Sequence, residues 1–118
     1  MSRELLALTV LQPFASAIAR FGKDVENRTW LPGARLPVGG WLAIHAGMCD
    51  YPGAFSDAAA KACPWAVPGM EQWRFGRVFA LPEPVPCKGA QGLWRVPDDV
   101  AARVRAQWTP FALAPEAP

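Results

Sequence analysis

Hydrophobic and polar residues change their spacing along this chain, and each change predicts an element. Leu5 to Val10 is a β-branched and aliphatic run bounded by Gln12-Pro13, which predicts a buried first strand. A helix is expected at once after it. Pro13 suits a first helical turn, Phe14, Ala17, Ile18 and Phe21 recur at helical spacing, and Gly22 stands where a left-handed C-terminal cap is wanted. From Lys23 to Trp30 the period becomes two, so Val25, Asn27 and Thr29 point one way and Asp24, Glu26, Arg28 and Trp30 the other. One face of that strand is unusually charged.

Leu31 to Gly40 carries the Pro and Gly of a loop, and Trp41 to Ala46 then predicts a central strand ending at His45. Ala54 to Ala62 favours helix, with Pro64 as its stop. Arg77 to Leu81 and Gly92 to Val96 are expected as further short strands, joined by the Pro-rich connection Pro82 to Gly89, which suits a barrel edge or a crossing loop. Pro97-Asp98-Asp99 opens a closing helix, with Asp98 as cap, Val100, Val104 and Trp108 on one face, and Arg103 and Arg105 near its C-terminal end. Residues 1–110 are expected to form one domain, followed by a Pro- and Ala-rich tail over 111–118.

Composition narrows the class. The chain has 118 residues, 52% of them hydrophobic and 19% charged, enough for one packed core. Thirteen Pro and 10 Gly argue against a helical bundle and for short elements, hence a β-rich or mixed fold. No run of roughly 20 apolar residues is present to span a bilayer. The N-terminus lacks a secretory pattern, so a cytoplasmic location is expected. Cys49, Cys63 and Cys87 are odd in number and widely spaced, which fits reduced thiols. The formal net charge of +2 permits contact with nucleic acid without requiring it.

Chemistry concentrates in Gly22-Lys23-Asp24-Val25-Glu26-Asn27-Arg28-Thr29-Trp30. A helix end delivers Lys23 into a strand whose one face presents Glu26 and Arg28, roughly 7 Å apart along it. The two can share a ligand, or form a lateral ion pair on the solvated face of an edge strand. Trp30 can stack on an unpaired base. His45 is the single histidine, and on an apolar strand it serves either as a hydrogen-bonded, half-buried side chain or as part of a site. Metal-binding spacings such as C-x-x-C are absent, as are the phosphate-loop, dinucleotide and serine-hydrolase motifs, so neither a metal nor an organic cofactor is expected.

Leu8-Thr9-Val10-Leu11-Gln12-Pro13-Phe14-Ala15, the Gly22 to Trp30 segment and Leu42-Ala43-Ile44-His45-Ala46-Gly47 together resemble the ASCH domain of the PUA-like superfamily, and Gly89-Ala90-Gln91-Gly92-Leu93-Trp94 looks like a segment of its bacterial members. The resemblance implies an α+β fold, a small β-barrel with flanking helices. Its cleft would be lined by Gln12, Lys23, Glu26, Arg28 and His45, with Trp30 at its side. The ligand implied is RNA or a nucleoside. Some members hydrolyse N4-acylated cytidine and others are linked to ribonuclease activity, which would make Lys23, Glu26 and His45 the catalytic set. Glu26 stands where those amidohydrolases carry a threonine, and Met48 to Cys63 runs straight to Pro64-Trp65 without the family's additional strand, so a trimmed or differently closed barrel is expected.

Overall fold

The computed structural model describes residues 4–37, 39–50, 56–63 and 65–112, with the backbone alone at 48–50 and 108–112. Five strands and three helices follow in the order β1 (Leu6–Gln12), α1 (Phe14–Arg20), β2 (Val25–Arg28), β3 (Leu42–Asp50), α2 (Asp57–Ala62), β4 (Glu71–Arg74), β5 (Leu93–Arg95) and α3 (Asp98–Ala112). A single 3-10 turn, Gly33–Arg35, interrupts the loop between β2 and β3. The fold is a small mixed α+β one. Its strands form a three-stranded sheet ordered β3-β1-β5 and a two-stranded sheet ordered β2-β4, with no closed barrel among the described residues.

The unbroken apolar run at the start of the chain has a direct cause. β1 is the middle strand, parallel to β3 and antiparallel to β5, and is covered on both faces. Leu8 and Val10 pack with Ala15 and Ile18 of α1 and with Trp73, while Leu5 and Ala7 pack with Val96, Ala101 and Val104. Trp41 to Ala46 was the expected central strand; β3 instead begins at Leu42, runs to Asp50 and takes an outer position.

α1 ends as its sequence predicts. Gly22 adopts φ +77°, and the amides of Phe21 and Lys23 both donate to the Ala17 carbonyl at 3.0 Å. The backbone thereby drops Lys23 into the interior. The period-two segment forms a strand only over Val25–Arg28, paired antiparallel with β4 so that Glu26 faces Trp73 and Arg28 faces Glu71.

The strand expected at Arg77–Leu81 does not form; the partner of β2 lies earlier, at Glu71–Arg74. Trp73 is the reason, since it alone of that stretch buries its ring in the core, whereas Arg77 and Val78 are exposed. The helix expected over 54–62 occupies Asp57–Ala62, where the Ser56 hydroxyl accepts from the Ala59 amide; residues 51–55 lie outside the described ones. Asp98 is the first residue of α3 and pairs with Arg95 rather than capping. That helix passes through Pro110 to Ala112; residues 113–118, where the rest of the expected tail falls, and the side chain of Trp108 lie outside the described residues. No described helix is long and apolar enough to cross a membrane.

Candidate functional site

The charged face of β2 turns inward. Lys23 is 1% exposed and Glu26 6%, the two buried charged residues of the described chain. A solvated edge strand would leave both wet, so that bland alternative fails. Arg28 Nε donates to Glu26 Oε2 at 2.8 Å, and its Nη2 donates to the Thr9 carbonyl at 2.8 Å, tying β2 to the middle strand of the other sheet. Burial raises the Glu26 carboxyl above its ordinary range, while Arg28 and then Lys23 draw it back. Burial likewise lowers Lys23, opposed by Glu26, Cys63 and Asp24.

The ammonium of Lys23 works on the backbone. Nζ donates to the Val25 carbonyl and, at 3.4 Å, to that of Trp65, and it stands 6.0 Å from the centre of the Phe14 ring. Asn27 completes this anchor, its Nδ2 donating to the Trp65 carbonyl at 3.0 Å and its Oδ1 accepting from the Val67 amide at 2.9 Å. Lys23 and Asn27 therefore pin the connection that leads into β4.

Beside the ion pair lies a small cleft of about 330 Å³, lined by Thr9, Leu11, Glu26, Asn27, Arg28, Thr29, Trp30 and Met70. Trp30 leans edge-on against Trp73, ring centres 4.9 Å apart at 84°, and its carbonyl accepts from Trp73 Nε1 at 2.8 Å. The wall is thus held by the core. Glu26 Oε1 and Arg28 Nη1 make no hydrogen bond among the described residues, so the pair that lines the cleft keeps one acceptor and one donor unused.

Gln12 and His45 sit elsewhere. Both line a longer cleft of about 1420 Å³ that carries neither Lys23, Glu26 nor Arg28. Gln12 Oε1 accepts from the Ser16 amide at 3.0 Å, which satisfies an open donor of the first turn of α1. His45 has both ring nitrogens engaged: Nδ1 meets Thr9 Oγ1 at 3.1 Å and Nε2 meets the Cys87 carbonyl at 2.7 Å. A carbonyl only accepts, so Nε2 carries a proton and donates to it. The Thr9 hydroxyl accepts from Trp94 Nε1 at 3.2 Å, and the Trp94 ring meets His45 edge-on at 5.4 Å. Trp94 is half-buried in this network.

The structure thus brings Glu26, Arg28 and Trp30 together at one cleft, buries Lys23 behind them, and keeps Gln12 and His45 apart. The candidate residues did not include Thr9, Leu11, Asn27, Thr29 and Met70, which also line this cleft. Thr9 had a signal, being the one polar residue between Leu5 and Leu11; Met70 had none. Cys63 is buried and Cys87 half-buried, both free thiols, and Cys49 lies outside the described side chains. No family model matches this chain, and neither does any curated protein or solved structure.

Proposed function

We propose that this chain is an ASCH-type, PUA-like domain, its two sheets the arcs of a reduced barrel, which binds a nucleoside or an unpaired RNA base in the cleft beside Glu26 and Arg28. The observation that carries the reading is the pair of buried Glu26 and half-buried Arg28, which lines a hollow of about 330 Å³ and keeps one carboxylate oxygen and one guanidinium nitrogen without a hydrogen bond among the described residues. That volume lies at the low end of small-molecule sites. A carboxylate acceptor and a guanidinium donor on one wall suit the polar edge of a nucleobase, and the Trp30 wall supplies an aromatic surface. Lys23 sets the field and the floor without touching the ligand.

Titration of intrinsic tryptophan fluorescence with cytidine, N4-acetylcytidine, uridine and guanosine tests it. Saturable binding of at least one, weakened roughly tenfold in Glu26→Gln, is the expected result. Absence of binding to every nucleoside at millimolar concentration would reject the site.

Hydrolysis of a modified nucleoside is a second reading, favoured by one observation: burial moves the Lys23 and Glu26 proton affinities toward each other. Glu26 would then take a proton from the water that attacks the acyl carbon, Arg28 would hold the developing oxyanion, and Glu26 would return the proton to N4 as the C–N bond breaks, releasing the acid and cytidine. Mass-spectrometric turnover of N4-acetylcytidine that disappears in Glu26→Gln, while binding to Arg28 persists, would select it; binding without turnover selects the first reading.

A further inference from the structure

We infer that the outer edge of β3 takes up an extended, acidic peptide of another protein as a further strand of the sheet. The direction of each backbone group follows from the pairing. The Val96 amide donates to the Leu5 carbonyl at 2.8 Å, continuing the antiparallel β1–β5 register by one residue, so Leu5 and Ala7 turn their N–H and C=O groups toward β5. By alternation Leu6, Leu8 and Val10 turn theirs toward β3. In a parallel pair each of these bonds to the residues flanking its partner, which engages Ala43 and His45 and leaves the N–H and C=O groups of Leu42, Ile44 and Ala46 facing outward. None of those groups is hydrogen-bonded among the described residues, and β3 pairs with β1 alone. Such an edge is a template for another strand.

The long cleft follows this edge. Leu42, Ile44 and Ala46 line it, and its walls come from two apolar layers. Leu36 and Phe75 belong to the cluster that holds Leu42 and Ile44, while Val85 and Val100 belong to the one that holds Ala43. The side chains of an added strand alternate between two such layers, and its backbone meets the edge between them. At about 1420 Å³ the cleft also exceeds the roughly 1,000 Å³ of a large small-molecule site, which suits an elongated occupant.

Charge selects the kind of peptide. Arg20, Arg74, Arg77 and Lys88 line the cleft, and no Asp or Glu is among its described lining residues. Arg20 is tied to Asp57, but Arg74, Arg77 and Lys88 are exposed and enter no ion pair among the described residues. Acidic side chains flanking an apolar stretch complement them. A second copy of the same edge would set these cations against each other, and a polyphosphate chain has no N–H to give the outward carbonyls. The inference stands apart from the small cleft, which shares no residue with this one.

The test uses the full chain and fluorescein-labelled peptides of about seven residues, Val and Thr in alternation with Glu at both ends, followed by anisotropy. Saturable binding is expected, lost when Lys replaces Glu and lost again when every peptide amide is N-methylated. Ala46→Pro removes one outward donor and spares the β1 ladder, and should weaken binding about fivefold. Arg77→Glu should weaken it roughly tenfold and lessen its dependence on salt. Amide exchange followed by NMR is expected to be fast at Leu42, Ile44 and Ala46 and slow at Ala43 and His45 in the free chain, with the peptide slowing the first set. Equal binding of the N-methylated peptide would overturn the inference, as would absence of binding at millimolar concentration. Slow exchange of the Leu42, Ile44 and Ala46 amides in the free chain would overturn it too, sedimentation then showing whether a second copy or the Arg77 to Leu81 segment of the same chain covers the edge.

Discussion

Two polar clusters meet at Thr9, one through its carbonyl and one through its hydroxyl, and they differ in what they leave unfilled. On one side Arg28 grips the carbonyl and buried Glu26, a charged pair that lines a cleft. Across the strand, Trp94, Thr9, His45 and the Cys87 carbonyl form a relay in which both ring nitrogens of His45 are engaged. The relay even leaves no room, since a Cβ on Gly89 would stand 2.7 Å from both His45 Cε1 and Thr9 Oγ1. A histidine attracts attention as chemistry, but here its valences are filled. Capacity for a ligand resides where a buried charge keeps one side open.

The hardest blow to this contrast is Arg28→Ala. It strands the Glu26 carboxylate in a site that is 6% exposed, and removal of one partner of a buried pair is expected to lower stability by about 2 kcal/mol, discounted from the fully buried case because Arg28 is itself partly exposed. Urea unfolding at several pH values checks it. The loss should be largest at neutral pH and shrink in acid, where protonated Glu26 no longer needs its counter-charge. Were the loss independent of pH, the carboxylate would not be its cause.

His45→Leu breaks the other cluster. Leaving the Cys87 carbonyl and the Thr9 hydroxyl without their partner should cost about 2 kcal/mol, while nucleoside affinity stays unchanged because the imidazole does not line the small cleft. Gly89→Ala, which forces a methyl into the same relay, is expected to behave alike at about 1–2 kcal/mol. A tenfold loss of nucleoside affinity in either variant would erase the separation of the two regions.

Titration sharpens the difference further. Between the ordinary glutamate value and the raised one of folded Glu26, the folded chain holds more proton than the unfolded chain, so stability falls as pH rises through that window. Lys23 acts in the opposite sense: between its lowered value and the ordinary lysine value the unfolded chain holds more proton, and stability rises with pH. Glu26→Gln should remove the acid-side fall and Lys23→Met the alkaline-side rise, each visible as a flattened curve of unfolding free energy against pH. His45→Leu should leave both features in place.

Much of the fold was legible because it rests on local signals. The Leu5 to Val10 run, the helical spacing of Phe14, Ala17, Ile18 and Phe21, and Gly22 as the cap led to β1 and α1 within a residue or two. The Glu26, Arg28 and Trp30 grouping was legible too, since alternation on a strand fixes which side chains share a face. What stayed hidden depended on pairing between distant segments. β4 shows no alternating pattern and exists because Trp73 packs against Leu8 and Val10, and the place of His45 followed from a parallel register, Thr9 beside His45, that no local signal encodes. Charge patterning alone suggests a wet face for β2; the Arg28 bond to the Thr9 carbonyl and the packing of Trp30 and Trp73 against Leu8 and Val10 turn that face inward.

The smallest effect isolates burial as the controlling variable. Arg20 and Asp57 also form an ion pair, with contacts of 3.2 and 3.3 Å between α1 and α2, but both side chains are more than half exposed. Water already solvates each partner, so little is left for the pair to supply. Asp57→Asn is expected to cost less than about 1 kcal/mol, and that cost should vanish as salt is added. The Arg28→Ala loss should persist at the same ionic strength, because ions screen exposed charges well and buried ones poorly. If both pairs responded to salt equally, the Glu26 carboxylate would be better hydrated than its burial implies, and the cleft beside it would have no greater hold on a base than the open surface between α1 and α2.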